Sequence, residues 1–109
     1  MISYDVNISP KALSQLGSYL AYIRYTLLNP RAAQLVYQDA QETRKQLERA
    51  AGSIQLCKNQ KLHELGYRAI SFNRHNYVML YRIVDTTVFV DAVYHARQDY
   101  ENTFAQDLD

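Results

Sequence analysis

Glycine, proline, cysteine and tryptophan are all scarce in this sequence of 109 residues, and each shortage removes a class of function. The three glycines, Gly17, Gly52 and Gly66, stand far apart, so there is no glycine-rich loop to cradle a phosphate. There is also no Gly-x-Ser-x-Gly turn to present a nucleophile. Cys57 is the only cysteine, which excludes an internal disulfide and fits a reducing cytoplasm. It lies in Leu-Cys-Lys-Asn-Gln without a compelling partner and reads as an incidental thiol. No His-x-His or His-Glu-x-x-His spacing occurs, so neither a metal site nor a cofactor is expected. No apolar run approaches the roughly 20 residues that span a bilayer. The opening MISYDVNIS has no basic and no apolar leader segment, so no secretory signal is expected. A cytoplasmic, non-membrane protein of one domain, residues 1–109, is the expectation.

What is present is an ordinary globular composition, 48% hydrophobic and 21% charged, with ten tyrosines. Net charge is only +1, but it is unevenly spread. Residues 1–57 carry net +2, residues 58–97 net +3, and the tail 98–109 net −4. An acidic tail therefore masks a mildly basic body, which permits nucleic-acid contact without requiring it.

Ile2, Tyr4, Val6 and Ile8 alternate with polar residues, the period of a half-buried strand. Ser9-Pro10 then reads as a helix cap with proline at the first helical position. Leu13, Leu16, Leu20, Ile23 and Leu27 give the following helix one apolar stripe. Asn29-Pro30 ends that helix and caps the next, whose stripe is Ala33, Val36, Ala40, Thr43 and Leu47, with Gly52 as its stop. So short a connection implies an antiparallel helical hairpin. Tyr19, Tyr22 and Tyr25 step by three round the first helix, so at least one of them is exposed. Residues 53–65 show no period, and Lys58-Asn59-Gln60-Lys61 reads as a loop. Three strands follow, at about Tyr67–Phe72, Tyr77–Ile83 and Val88–His95, joined by turns at Asn73–Asn76 and Asp85–Thr87. The expected fold is α+β: a strand, a helical hairpin, then a three-stranded antiparallel sheet beneath the hairpin.

If Asp85 sits opposite Val88, then Arg82 faces Asp91, Leu80 faces Val93 and Val78 faces His95, all on one open face. Met79, Tyr81, Ile83, Val90, Ala92 and Tyr94 then face the helices. An open face holding Arg82, Asp91 and His95 suits a phosphate or a carboxylate. Arg82 with Asp91 reads equally as a plain cross-strand ion pair. His63 and His75 fall in loops, facing solvent. The tail from Asp99 to Asp109 reads as a frayed terminus.

The layout and its motifs resemble the RelE/ParE superfamily of bacterial type II toxins over nearly the whole chain. SYLAYIRYTLLNPRAAQLVYQDAQETRKQL resembles the ParE-type hairpin with its Asn-Pro-x-Ala-Ala start. LGYRAISF, NYVMLYRIVDTTVFV and AVYHARQDYEN resemble the arginine-led strand, the Tyr-Arg strand and the closing strand that ends in histidine and Arg-x-Asp. The resemblance implies a cognate antitoxin as partner and a toxin–antitoxin hetero-oligomer. It implies one of two activities, of which the first is the expected one and the second the alternative. RelE-like and YoeB-like members cut mRNA on the ribosome without metal, whereas ParE-like members inhibit DNA gyrase without being enzymes. A third possibility is a degenerate toxin that only binds its antitoxin.

On the nuclease branch, the resemblance points to His95, Arg68, Arg74 and Tyr100 for catalysis and to Lys58 and Lys61 for RNA binding; Arg82, from the open face, joins the expected catalytic set, and Arg97 the expected RNA-binding set. His95 matches a general acid. Arg68, with Arg74 or Arg82, would hold the phosphate through paired guanidinium contacts. The glutamate base of YoeB-like toxins has no counterpart, since Glu64 is out of place. The Asn-Pro-Arg-Ala-Ala hairpin and a pI near 7.9 lean towards ParE.

Overall fold

The computed structural model describes residues 2–108. Strand β1 (Asp5–Ile8) leads into helix α1 (Pro10–Ala21), capped as expected by Ser9, whose side chain accepts the amide of Ala12 at 3.0 Å. A π-helical turn, Tyr22–Thr26, extends α1. Helix α2 (Pro30–Ala50) is capped by Asn29, which accepts the amide of Ala32 at 3.1 Å. A short 3-10 turn, Ala51–Ser53, closes α2. Helix α3 (Gln60–Glu64), strands β2 (Arg68–Ser71), β3 (Tyr77–Val84) and β4 (Thr87–His95), and helix α4 (Tyr100–Asp107) complete the chain. The fold is α+β. The three C-terminal strands are antiparallel, and β1 joins them in parallel beside β4, giving the order β1-β4-β3-β2.

The helical hairpin packs on one face of this sheet. All five stripe residues expected on α2 are buried there, from Ala33 to Leu47. The α1 stripe is different. Leu16 and Ile23 are buried, but Leu13 and Leu27 are exposed, and Ala12 takes the buried place beside Leu16. The π turn explains Leu27. Its amide bonds the carbonyl of Tyr22, five residues back, so the extra residue rotates Leu27 off the stripe. Tyr22 and Tyr25 are exposed on the same turn, as the three-residue spacing requires.

An expected loop and an expected frayed terminus both prove to contain helices. Asn59 caps α3 by accepting the amide of Leu62 at 3.2 Å, so Gln60 and Lys61 are helical. The acidic tail is not frayed within the described residues: it folds as α4 and buries Phe104 and Ala105. Phe104 meets the ring of Tyr67 edge-on, with centroids 5.0 Å apart. With Cys57, Leu62, Val78, Leu80, Ala92 and Tyr94, these residues form a second apolar core under the other face of the sheet.

The sheet register also departs from the expected one. Val84, not Asp85, opens the hairpin opposite Thr87, leaving Asp85-Thr86 as the two-residue loop. Asp85 takes the left-handed conformation with φ 56°, which aspartate tolerates better than most residues. Further along, Tyr81 pairs Val90 but Leu80 pairs Ala92, so Asp91 is the extra residue of a β-bulge. The backbone groups released there are taken up by the N-terminal segment. The Ser9 hydroxyl donates to the Asp91 carbonyl at 3.3 Å, and Gln15 Oε1 accepts the Val93 amide at 2.9 Å.

The bulge exchanges the second half of β4 between faces. Val93 joins Met79, Tyr81 and Val90 beneath the helices. Ala92 and Tyr94, expected there, lie in the other core instead. His95 pairs Tyr77, on the helical side, while Arg82 points to the α3–α4 side. The single open face carrying both Arg82 and His95 is therefore not formed.

Candidate functional site

Arg68 lies on β2 opposite Tyr81, facing α2. Its guanidinium donates to the carbonyl of Ile54 and approaches that of Gly52 at 3.5 Å. The Tyr81 hydroxyl donates to the carbonyl of Ala51 at 2.7 Å. Both side chains therefore satisfy carbonyls of the 3-10 turn and the segment just after it, near the C-terminus of α2, a position that also favours a cation through the helix dipole.

Arg82 faces the other core. Its Nε donates to Asp91 Oδ2 at 3.1 Å, the Tyr67 hydroxyl donates to the same oxygen at 2.7 Å, and the guanidinium lies 4.8 Å over the Phe89 ring. The expected Arg82–Asp91 contact is thus present, although Arg82 pairs Phe89 in the ladder and the bulge brings Asp91 to it. Burial pushes the Tyr67 phenol up, reinforced by its bond to Asp91, to a pKa of about 12.

Arg74 lies in the β2–β3 turn, largely exposed, and its Nη1 is 3.4 Å from Glu42. His95 ends β4. Its ring packs edge-on against Tyr77 at 5.2 Å, and its Nδ1 accepts the amide of Arg97 at 3.2 Å. In the neutral ring that bond keeps the proton on Nε2. The backbone amide of His95 donates to Gln98 Oε1 and to the Tyr19 hydroxyl.

Lys58 and Tyr100 line a shallow hollow of about 410 Å³, together with Gln98, Asp99 and Glu101. Two carboxylates therefore stand beside Lys58, and one of them, Glu101, accepts the amide of Asn59 at 2.7 Å. Burial, with Glu101 second, raises the pKa of the Tyr100 phenol. Lys61 is turned away, donating to the Ala105 carbonyl at 3.0 Å in the last turn of α4. Arg97 is exposed. So Lys58 and Tyr100 share the hollow with Gln98, whose side chain accepts the His95 amide, while Arg68 and Arg82 do not join them. Four residues along β3 and two strand spacings separate Arg68 from His95, about 16 Å between their Cα atoms. Among the described residues, no group of three or more metal-ligating side chains occurs, and no helix is long and apolar enough to cross a membrane.

Residues 6–100 match the family model of the ParE toxin of the type II toxin–antitoxin system parDE. The chain belongs to the ParE toxin family. Its fold is similar to that of the chromosomal ParDE toxin–antitoxin system from P. aeruginosa, with a TM-score of 0.72 and 17% identity over 87% of this chain and 98% of that one. It is also similar to the toxin–antitoxin complex RelBE2 from Mycobacterium tuberculosis, with a TM-score of 0.55 and 25% identity over 86% of this chain and 99% of that one. No curated protein matches the chain significantly. The RelE/ParE resemblance is thus borne out at the level of family and fold, and the protein is a toxin of a type II toxin–antitoxin system.

One cluster in this ParE toxin escaped sequence reasoning. Asp39, on α2, is 1% exposed. Its carboxylate accepts the amides of Asn73 at 3.1 Å and Arg74 at 2.9 Å, and Nδ1 of His75 at 2.8 Å. His75 is therefore not a free loop histidine. Burial works to raise the Asp39 pKa, but the bonds from His75, Arg74 and Asn73 outweigh it and hold the carboxyl below its usual value. The signal was in the sequence: Asp39 stands three residues after Val36 and four before Thr43, on the buried stripe itself.

Proposed function

We propose that this toxin arrests growth by binding a protein target, DNA gyrase, rather than by cutting RNA, and that a cognate antitoxin holds it inactive in a cytoplasmic hetero-oligomer. The state of the arginines carries this reading. The heads of Arg68 and Arg82, the two arginines expected to grip a phosphate from the sheet, are committed to internal partners on opposite faces of it. A phosphorane needs cations and an acid converging within hydrogen-bond reach of one another. The hollow at the start of α4 sets Lys58 among Asp99 and Glu101, whose charges oppose a phosphate. The surface left for a partner is apolar instead: Leu13, Tyr22, Leu27 and Leu28 are all more than half exposed on α1 and the turn after it.

One observation favours a nuclease. When its ring is neutral, His95 carries its proton on Nε2, next to the exposed Arg97, and a donor there suits a leaving oxygen. The two readings separate in one parallel experiment on the purified toxin. We expect inhibition of gyrase supercoiling with ribosome-bound mRNA intact, and His95→Ala as toxic as the wild type. Cleaved mRNA with normal supercoiling would refute the gyrase reading. Harmless expression without an antitoxin would reduce the chain to an antitoxin-binding relic.

A further inference from the structure

Between α1 and α2, near the π turn, lies a groove of about 700 Å³, within the range of ligand sites. Its floor includes Leu20, and its rim carries Arg24, Tyr25, Arg31, Gln34 and Tyr37. The electrostatics here are one-sided. Between Asp5 and Asp39 the sequence holds no acidic residue at all, while it holds Lys11, Arg24 and Arg31. Neither Arg24 nor Arg31 forms an ion pair among the described residues. The Arg24 guanidinium instead lies 5.6 Å over the Tyr25 ring. Tyr25 is 70% exposed and Tyr37 48%.

We propose that this groove binds single-stranded nucleic acid, with Arg24 and Arg31 on two phosphates and Tyr25 and Tyr37 as stacking surfaces for bases. Three features select this occupant over an acidic protein helix. Apart from Gln34, the exposed rim consists of flat aromatic and guanidinium groups, which every base can stack on. The aliphatic anchors that a helix would seek, Leu27 and Leu28, are not among the groove residues. The cations are unpaired, so a phosphate displaces only water and counterions from them. The π turn makes the arrangement possible, because its widened backbone turns Arg24 and Tyr25 outward together while Ile23 stays in the core. The inference is independent of the toxin's target.

Fluorescence anisotropy of the full chain with labelled oligothymidylate and oligouridylate, across a salt series, tests it. The expected slope of log affinity against log salt is about −1.4, from two phosphate contacts on a single strand. Arg24→Gln and Arg31→Gln should each shrink it by about 0.7. Tyr25→Leu and Tyr37→Leu should each weaken binding about fivefold or more, whereas Tyr22→Leu, outside the groove, should change nothing. Thermal melting would confirm that these surface variants fold. A preference for one oligonucleotide identifies DNA or RNA as the source and supports the proposal either way. No anisotropy change at low salt with either strand would overturn it. So would arginine variants with the wild-type slope, or binding of a glutamate-rich amphipathic peptide with neither oligonucleotide retained.

Discussion

Replacing Asp39 tests the architecture most directly, because one buried carboxylate ties α2 to the β2–β3 turn. In Asp39→Ala the amides of Asn73 and Arg74 and the Nδ1 of His75 all lose their acceptor. Breaking a buried charged partnership from one side costs about 3–5 kcal/mol. A hydrogen bond to a charged group contributes about 1.5–3 kcal/mol, so the loss of three such bonds makes the upper part of that range the expected one. Against a total stability of about 5–15 kcal/mol, the variant is near its folding limit. For a chain of this size each kcal/mol moves Tm by about 4–8 °C, which predicts a fall of at least about 12 °C. Asp39→Asn keeps one acceptor oxygen but turns an NH2 towards donors, so it should fall between the alanine variant and the wild type.

The acid limb gives an independent readout. The Asp39 pKa is lower in the folded chain than in the unfolded one, so between the two values the unfolded chain binds the extra proton. This contribution to stability is fully present above the unfolded value of about 4 and is lost as pH falls through the lower, folded value. Asp39→Asn should therefore flatten the loss of stability below about pH 4. Circular-dichroism melts from acid to neutral pH measure both effects. A Tm within about 4 °C of the wild type for Asp39→Ala, or an unchanged acid limb for Asp39→Asn, would refute the reasoning.

Arg68→Ala should cost about 1.5–3 kcal/mol in urea denaturation, because the carbonyls of Gly52 and Ile54 lose a charged donor; unchanged stability with lost toxicity would instead mark Arg68 as a contact to the target. Phe104→Ala should cost about 3–5 kcal/mol and weaken the packing of α4, since the ring fills the second core against Tyr67 and Tyr94. Its chemical-denaturation midpoint checks this, and a midpoint equal to the wild type would mean that α4 contributes nothing. Burial, with Glu101 second, pushes the Cys57 thiol up to about 12. Alkylation at neutral pH should therefore proceed only through unfolding, and a rate that does not follow denaturant concentration would contradict the burial.

Local elements were legible wherever a short stretch of chain decides them. Ser9-Pro10 and Asn29-Pro30 fix two helix starts through caps that need only the next three residues. The α2 stripe repeats at one fixed period and was read completely. The α1 stripe was read in part, because the π turn adds a residue that the hydrophobic pattern does not announce. Helix α4 was missed because its amphipathic signal is weak: its anchors are Phe104 and Ala105, and what they bury against lies on α3 and β2–β4. The expected site residues were located individually, but their grouping depended on strand register.

The sequence by itself determined the family, through motifs spread along the chain, and the order of the C-terminal strands and the helical hairpin, because these rest on contacts between residues close in the chain. Tertiary structure alone decided which side chains share a surface. A period-two strand carries no record of where an extra residue will be accommodated. The bulge at Asp91 is stabilised by Ser9 and Gln15, which lie 82 and 78 residues away from their partners. Those two distant bonds set Arg82 and His95 on opposite faces of the sheet, and no stretch of β4 read alone contains that information.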